Sequence, residues 1–141
     1  MTFGRNAKRM HGPPAVEGGP TLERPAFVLL MMVAEHGPAR LSTLADAVYS
    51  DLSTVSRQLA ALEAAGWTER ERDPDDRRAF LVRITEDGRH VLNCNLQARR
   101  GLMRELFADW SETDRLELAR LLGQLNKSLD ESQATRAVAG A

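Results

Sequence analysis

The sequence predicts a mainly α-helical fold that contains a single charged β-hairpin. Apolar residues recur at spacings of three and four over most of the 141-residue chain, which is the period of an amphipathic helix. The period changes to two only around residues 80–84, where apolar and other side chains alternate as in a strand. The segment just before them, residues 73–78, combines one proline with acidic and basic side chains, which indicates an exposed hairpin tip.

Composition and length limit the class of protein. Hydrophobic residues make up 43% of the chain and charged residues 28%, which is typical of a globular domain. No apolar run approaches the ~20 residues that span a bilayer, and the N-terminal MTFGRNAKRMHGPP lacks the apolar segment of a secretory signal. The single cysteine, Cys94, cannot form an internal disulfide. We therefore expect one cytoplasmic domain that does not associate with membranes.

The first half of the chain predicts three helices. Residues 25–35 are apolar on nearly every side, which favours a helix packed centrally against several others. Gly37 and Pro38 end that helix. A second, short helix contains Leu44 and Val48, and residues 49–51 form a turn. A third helix runs from residue 52 to Gly66, and its predicted buried stripe consists of Leu52, Val55, Leu59 and Leu62.

The second half predicts the hairpin and two further helices. Strands at residues 67–72 and 80–84 flank the charged tip. A helix from residue 85 to about 109 would be roughly 35 Å long, too long to be covered by so small a core. Ser111 and Asp114 predict a capping box for the last helix, whose apolar face is formed by Leu118, Leu122, Leu125 and Leu129. Residues 132–141 are weakly patterned and are expected to form a flexible tail.

Two short helices followed by a charged hairpin are the arrangement of a winged helix-turn-helix. Because the third helix buries its apolar stripe, its polar N-terminal turn faces outward, where such side chains can read base edges in the major groove. The hairpin, or wing, can place arginine in the minor groove, and Asp75 or Asp76 can hold the guanidinium in a preset direction. The predicted DNA-binding residues are Arg40, Thr43, Ser53, Thr54, Ser56, Arg57, Gln58, Asp76, Arg77 and Arg78.

The sequence resembles the MarR family of bacterial transcription regulators over about residues 21–130. The resemblance consists of Leu44-Ala45 in the second helix, STVSR at residues 53–57 and LEAAG at residues 62–66. Its most specific part is DPDDRR at residues 73–78, followed by ITEDG at residues 84–88. This combination of helix pair, wing and helix start is much more specific than a helix-turn-helix pattern alone.

The resemblance implies a homodimer that binds a pseudo-palindromic operator in double-stranded DNA, as a repressor in most members. It implies that residues 21–84 bind DNA, that residues 85–131 are dimerisation helices, and that the short segment 1–20 contributes to the dimer interface. By similarity, Asp76 takes the role of wing brace and Arg78 that of minor-groove arginine. Many members release DNA when a small aromatic or anionic effector, or an oxidant, acts on the dimer.

Two features depart from the family pattern or from a simple DNA-binding interpretation. Tyr49 stands in the turn where glycine is usual, and a Cβ disfavours the left-handed conformation there. The net charge is −1, and acidic and basic residues are equally numerous between Arg40 and Arg100, so DNA binding depends on where the arginines point. These features leave open an alternative, a winged-helix protein-interaction module without DNA binding.

A second alternative concerns His90 and Cys94. They are four residues apart on one helix face, a spacing that suits a metal- or redox-responsive repressor. Two ligands are too few for a metal site of their own, so we predict neither a metal nor a cofactor. The sequence contains no catalytic constellation and no phosphate-binding glycine loop, which argues against an enzyme.

Overall fold

The structure is a computed structural model that describes residues 16–139, with the side chains of residues 16–132. The elements in chain order are α1 (Arg24–His36), β1 (Ala39–Arg40), α2 (Leu41–Ala47), α3 (Leu52–Ala64), β2 (Thr68–Arg72), β3 (Phe80–Ile84), α4 (Glu86–Leu106) and α5 (Glu112–Ala139). They form two compact units, one ending at Leu102 and the other beginning at Met103. Most of the predicted N-terminal segment, residues 1–15, lies outside the described residues.

Helix α1 is the central helix of the first unit, as its apolar composition predicts. Leu29, Leu30 and Val33 have no exposed surface, and Phe27 is also buried. They form one core with apolar side chains of α2, α3, β3 and α4. Gly37 follows the helix with a φ of 66°, which a residue without a Cβ adopts freely.

The sheet has three antiparallel strands in the order β1-β3-β2. Strands β2 and β3 form the predicted wing, with Thr68 paired to Ile84 and Arg72 paired to Phe80. The sequence did not predict β1, because a strand of two residues is too short to show an alternating pattern. Strand β1 pairs with β3 and continues directly into α2, so it joins the wing to the helix pair.

Helix α4 begins at a hydrogen-bonded junction with the end of α3. The hydroxyl of Thr85 donates to the carbonyl of Gly66 (2.7 Å) and accepts from the amide of Gly88 (3.0 Å). The amide of Thr85 donates to the carbonyl of Trp67 (3.0 Å). Thr85 thereby caps α4 and holds the helix start against the turn that follows α3.

A buried amide fixes the segment that precedes α1. The side chain of Asn95 in α4 is fully buried; its oxygen accepts from the amide of Leu22 (2.8 Å). Its nitrogen donates to the carbonyls of Pro20 and Val91, each at 2.9 Å. All three hydrogen bonds are made inside the protein, so burying this polar group leaves no unsatisfied donor or acceptor there.

The second unit consists of the end of α4 and helix α5. Ser111 caps α5 as predicted, since its hydroxyl accepts from the amide of Asp114 (3.1 Å). The same hydroxyl donates to the carboxylate of Asp114. Helix α5 continues to Ala139 and so includes most of residues 132–141, which the sequence led us to expect as a flexible tail. Within the described residues, no helix is both long and apolar enough to cross a membrane.

Candidate nucleic-acid interface

The turn between α2 and α3 contains a tyrosine in the left-handed region. The amide of Tyr49 donates to the carbonyl of Asp46 (3.1 Å), and the amide of Ser50 donates to the carbonyl of Ala45 (3.0 Å). These two bonds form a Schellman motif, whose C′ residue requires a positive φ. Tyr49 has a φ of 51°, unlike every other non-glycine residue in the described part of the chain. The strain expected from the sequence at this turn is therefore present.

The end of α3 has the same motif with glycine at the equivalent position. The amide of Gly66 donates to the carbonyl of Glu63, and the amide of Trp67 donates to the carbonyl of Leu62, both at 2.9 Å. Gly66 has a φ of 77°. The two turns therefore differ at the left-handed position by the presence of a Cβ and a side chain.

Replacing Tyr49 with glycine should raise the free energy of unfolding by about 0.5–1 kcal/mol, because the left-handed strain of a side chain exceeds the extra entropy that glycine loses. Tyr49 is 74% exposed, so little burial is lost. Chemical denaturation would measure the change. The reverse control, Gly66→Ala, should lower stability, since space is open there and only the φ of 77° is unfavourable. A less stable Tyr49→Gly variant would contradict this reasoning.

Asp51 organises the N-terminus of α3. Its carboxylate accepts from the amide of Thr54 (2.8 Å) and from the hydroxyl of Ser53. These hydrogen bonds, that of Ser53 first, hold the pKa of Asp51 well below its usual range. No role was predicted for Asp51 from the sequence, although Asp immediately before a helix is a common N-cap signal. The Ser53 hydroxyl, a predicted DNA contact, is therefore also part of the helix cap.

The buried stripe of α3 is shorter than the sequence predicts. Val55, Leu59 and Leu62 are buried, but Leu52 is 52% exposed. Leu52 is the first residue of the helix, directly after the N-cap Asp51, where the chain is still leaving the preceding turn. Placing Leu52 in the core was wrong, because helical spacing alone does not show where the first turn separates from the core.

The other predicted residues of the helix pair lie on the surface. Arg57 is exposed, and its Nη2 donates to the hydroxyl of Thr54 at 3.4 Å. Ser56 and Gln58 are partly exposed on α3, and Thr43 is exposed on α2. The N-terminal half of α3 thus presents hydroxyl, amide and guanidinium groups to solvent, while its other face contacts the core.

The wing tip is organised by Asp73, a residue that the sequence pattern did not single out. This carboxylate is only 6% exposed, and its Oδ1 accepts from the amides of Asp75 (2.9 Å) and Asp76 (3.3 Å). Its Oδ2 accepts from Nε (2.8 Å) and contacts Nη2 (2.6 Å) of Arg40. These contacts, the amide of Asp75 first, lower the pKa of Asp73.

Arg40, a predicted phosphate contact, does not present a free guanidinium in this geometry. Its guanidinium is ion-paired with Asp73, which raises the pKa of Arg40. A carboxylate that already occupies Nε and Nη2 leaves little of the guanidinium fork for a phosphate. Arg40 therefore connects two parts of the protein instead of presenting an unpaired charge.

Asp76 braces the wing through the main chain. Its Oδ1 accepts from the backbone amide of Arg78 (3.0 Å), whereas the sequence led us to expect that it holds the guanidinium of Arg78. The backbone carbonyl of Arg77 accepts from Arg72 at 3.4 Å, and Arg72 lies over the ring of Phe80 at 5.8 Å. The backbone of the tip is thus held by side chains on both sides.

Arg77 and Arg78 differ from Arg70 and Arg83 of the wing in charge pairing. Both are exposed, and neither guanidinium has an ion pair among the side chains of residues 16–132. Arg70, in contrast, pairs with Glu63 at 3.0 Å. Arg83 pairs with the two glutamates of β2, Glu69 at 2.7 Å and Glu71 at 3.2 Å. Arg72 has no ion pair among these side chains either, but its guanidinium lies over the Phe80 ring and donates to the carbonyl of Arg77, so the positive charge left free at the wing tip lies at Arg77 and Arg78.

His90 and Cys94 face each other on α4, as their spacing predicts. The Cys94 Sγ lies 3.7 Å from the His90 Nε2, which also lies 3.3 Å from the carbonyl oxygen of Gly18. Within residues 16–132, no group of three or more His, Cys, Asp or Glu side chains is placed to hold a metal ion. The pair therefore has a local hydrogen-bonding environment and no further metal ligands among these residues.

Together, the helix pair, the three-stranded wing sheet and the polar outer face of α3 define a winged helix-turn-helix domain of the DNA-binding class. The model of the MarR family matches residues 22–80. A Bacillus subtilis (strain 168) protein described as an uncharacterized HTH-type transcriptional regulator, YxaD, is 38% identical over 107 residues, or 76% of this chain and 75% of that protein. The chain belongs to the MarR family, and it is a transcriptional regulator and not an enzyme.

Solved structures agree with this assignment. The transcriptional regulator BldR from Sulfolobus solfataricus is 31% identical and superposes with a TM-score of 0.65, covering 78% of this chain and 75% of that one. FabT from Streptococcus pneumoniae, solved in complex with DNA, has a TM-score of 0.68 over 78% of this chain and 77% of that one. At 20% identity, FabT shows the shared fold alone.

Proposed function

We propose that this protein is a repressor that binds a pseudo-palindromic operator in double-stranded DNA as a homodimer. The observation that supports this function best is the pair of unpaired arginines, Arg77 and Arg78, at a wing tip whose backbone is held in place. In the proposed complex, α3 enters the major groove and the wing reaches the adjacent minor groove. FabT, which has this fold, was solved with DNA bound, and that precedent supports the same use of the fold here.

The outer face of α3 supports reading of base edges. Arg57 suits guanine and Gln58 suits adenine, while Ser53, Thr54 and Ser56 accept several partners. Thr43 on α2 is placed in the proposal as a phosphate contact. The N-terminal end of α3 carries Asp51, so the phosphate attraction of that helix end is reduced by a carboxylate. We therefore assign most of the electrostatic attraction to the wing and to Arg57.

The dimer is proposed to be built from residues 85–131 together with the N-terminal segment 1–20, while residues 21–84 contact DNA. In the second unit, α5 exposes a row of leucines that a second copy of the chain would cover: Leu121, Leu122, Leu125 and Leu129. We further propose a cytoplasmic location and release from DNA by a small aromatic or anionic effector.

Selection of bound duplexes from fragments of the source genome, followed by a salt titration on the enriched sequence, tests this function. We expect a pseudo-palindrome whose logarithmic affinity falls linearly with the logarithm of salt concentration, with a slope set by the number of phosphate contacts. No enrichment by a folded dimer would overturn the proposal and favour a protein-interaction module. A replacement Cys94→Ser in the same assay would test the redox alternative, which fails if oxidant still releases DNA.

A further inference from the structure

Arg40 joins the wing to the first helix of the helix-turn-helix pair through a close ion pair with Asp73 and a longer one with Asp76, at 3.9 Å. Arg40 is the second residue of β1 and immediately precedes α2, and its backbone pairs with Leu81 of the central strand β3. Asp73 lies on the other side of β3, in the loop that follows β2. The side chain of Arg40 therefore reaches across the sheet to the wing tip.

We propose that Arg40 is a positioning residue for DNA recognition that acts through Asp73. By tying the wing tip to the start of α2, the pair holds Arg78 in a preset position relative to α3. This inference rests on the proposed function and adds to it, because it assigns to Arg40 a role that involves no direct contact with DNA.

Asp73 is suited to this role because one buried carboxylate serves two purposes. Its Oδ1 shapes the tip by accepting from the amides of Asp75 and Asp76. Its Oδ2 is left for Arg40, whose Nε and Nη2 lie 2.8 and 2.6 Å away. Losing Arg40 would leave a largely buried carboxylate without its counter-charge, which is costly, so the tip would be expected to shift toward solvent.

The loop that Asp73 anchors is the one that carries the unpaired arginines. The amide of Asp73 donates to the carbonyl of Ala79 (3.1 Å), and the amide of Ala79 donates to the carbonyl of Asp76 (2.9 Å). Arg77 and Arg78 lie between these hydrogen bonds. A tip held in this way loses less conformational freedom on binding than a free hairpin, so more of the contact energy appears as affinity.

The first experiment replaces Arg40 with methionine, which keeps an unbranched apolar stem and removes the charge. Affinity for the selected operator is measured in the wild-type background and in an Arg78→Ala background. We expect Arg40→Met to weaken binding on the order of tenfold in the first background and very little in the second, because its effect passes through Arg78. The salt slope should fall by clearly less than one.

Arg83→Met provides the matched control. Arg83 is 48% exposed against 47% for Arg40, and it also has carboxylate partners, but these are Glu69 and Glu71 within the hairpin. Its loss removes the same charge from the same sheet without freeing the wing tip from α2. We expect affinity close to wild type. In the free protein, amides 75–79 should exchange hydrogen faster in Arg40→Met than in Arg83→Met.

A second variant, Asp73→Asn, keeps an oxygen for the tip amides while removing the close ion pair, so that Arg40 retains only the Asp76 carboxylate at 3.9 Å. It should match Arg40→Met in affinity, and the double variant should bind no worse than either single one. The inference would be overturned if Arg40→Met weakened operator binding equally in the wild-type and Arg78→Ala backgrounds and reduced the salt slope by about one. That result would make Arg40 a direct phosphate contact. Wild-type affinity in both single variants would also overturn the inference. In either case, operator binding by the wild-type protein would leave the proposed function standing. If the wild-type protein enriches no duplex, both the proposed function and this inference fail.

Discussion

Replacing Gly88 with alanine should lower the free energy of unfolding by about 3 kcal/mol, the upper end of what overpacking a core position costs. A Cβ at this position would overlap the carbonyl oxygen of Trp67 and lie 2.9 Å from the Ile84 Cγ1. The carbonyl cannot move away freely, because it accepts from the amide of Thr85 at 3.0 Å. Chemical denaturation of the variant, followed by circular dichroism, would measure the loss.

Gly101 is the matched control, since it lies in the same helix α4 and the space that a Cβ would take there is open. Gly101→Ala should raise stability by about 0.5–1 kcal/mol through helix propensity. Equal and small effects at both positions would show that the junction between the end of α3 and the start of α4 is looser than the close approach of Gly88 to Trp67 indicates.

The parts of the fold that the sequence predicts well are those with a long, repeated pattern. Helix α1 is apolar on all sides because it is surrounded, and the wing strand Phe80–Ile84 alternates because one of its faces is covered. Such patterns average over many side chains, so one misplaced residue such as Leu52 does not obscure them. The ten predicted DNA-binding residues remain predictions, since their assignment depends on a complex with DNA.

The contacts that sequence reasoning missed are long-range and specific. Asn95 is a polar residue in a helix whose three hydrogen-bond partners include the backbone of residues 20 and 22. Asp73 looked equivalent to Asp75 and Asp76, because all three occupy one charged segment. Only the folding of β1 against β3 brings Arg40 to Asp73, and β1 itself is too short to leave a sequence signal.

Arg78→Ala should weaken operator binding by ~1–3 kcal/mol, which is about five- to 150-fold, if Arg78 enters the minor groove as proposed. Its guanidinium has no ion pair among the described side chains to compete with DNA, and its amide is fixed by Asp76 at 3.0 Å. The folded protein should be unaffected, because the side chain is exposed. Affinity titrations on the selected operator, with denaturation in parallel, separate the two effects.

Arg70→Ala is the control for charge alone, because Arg70 lies on the same hairpin but pairs with Glu63 at 3.0 Å. It should bind nearly as well as wild type. Operators with A·T pairs replaced by G·C beneath the wing then test the mode of contact. Wild type should lose affinity on these operators, because the wider minor groove has a weaker negative potential, while Arg78→Ala should be insensitive to the change. If both proteins respond equally, Arg78 contacts phosphate and the sequence preference comes from α3.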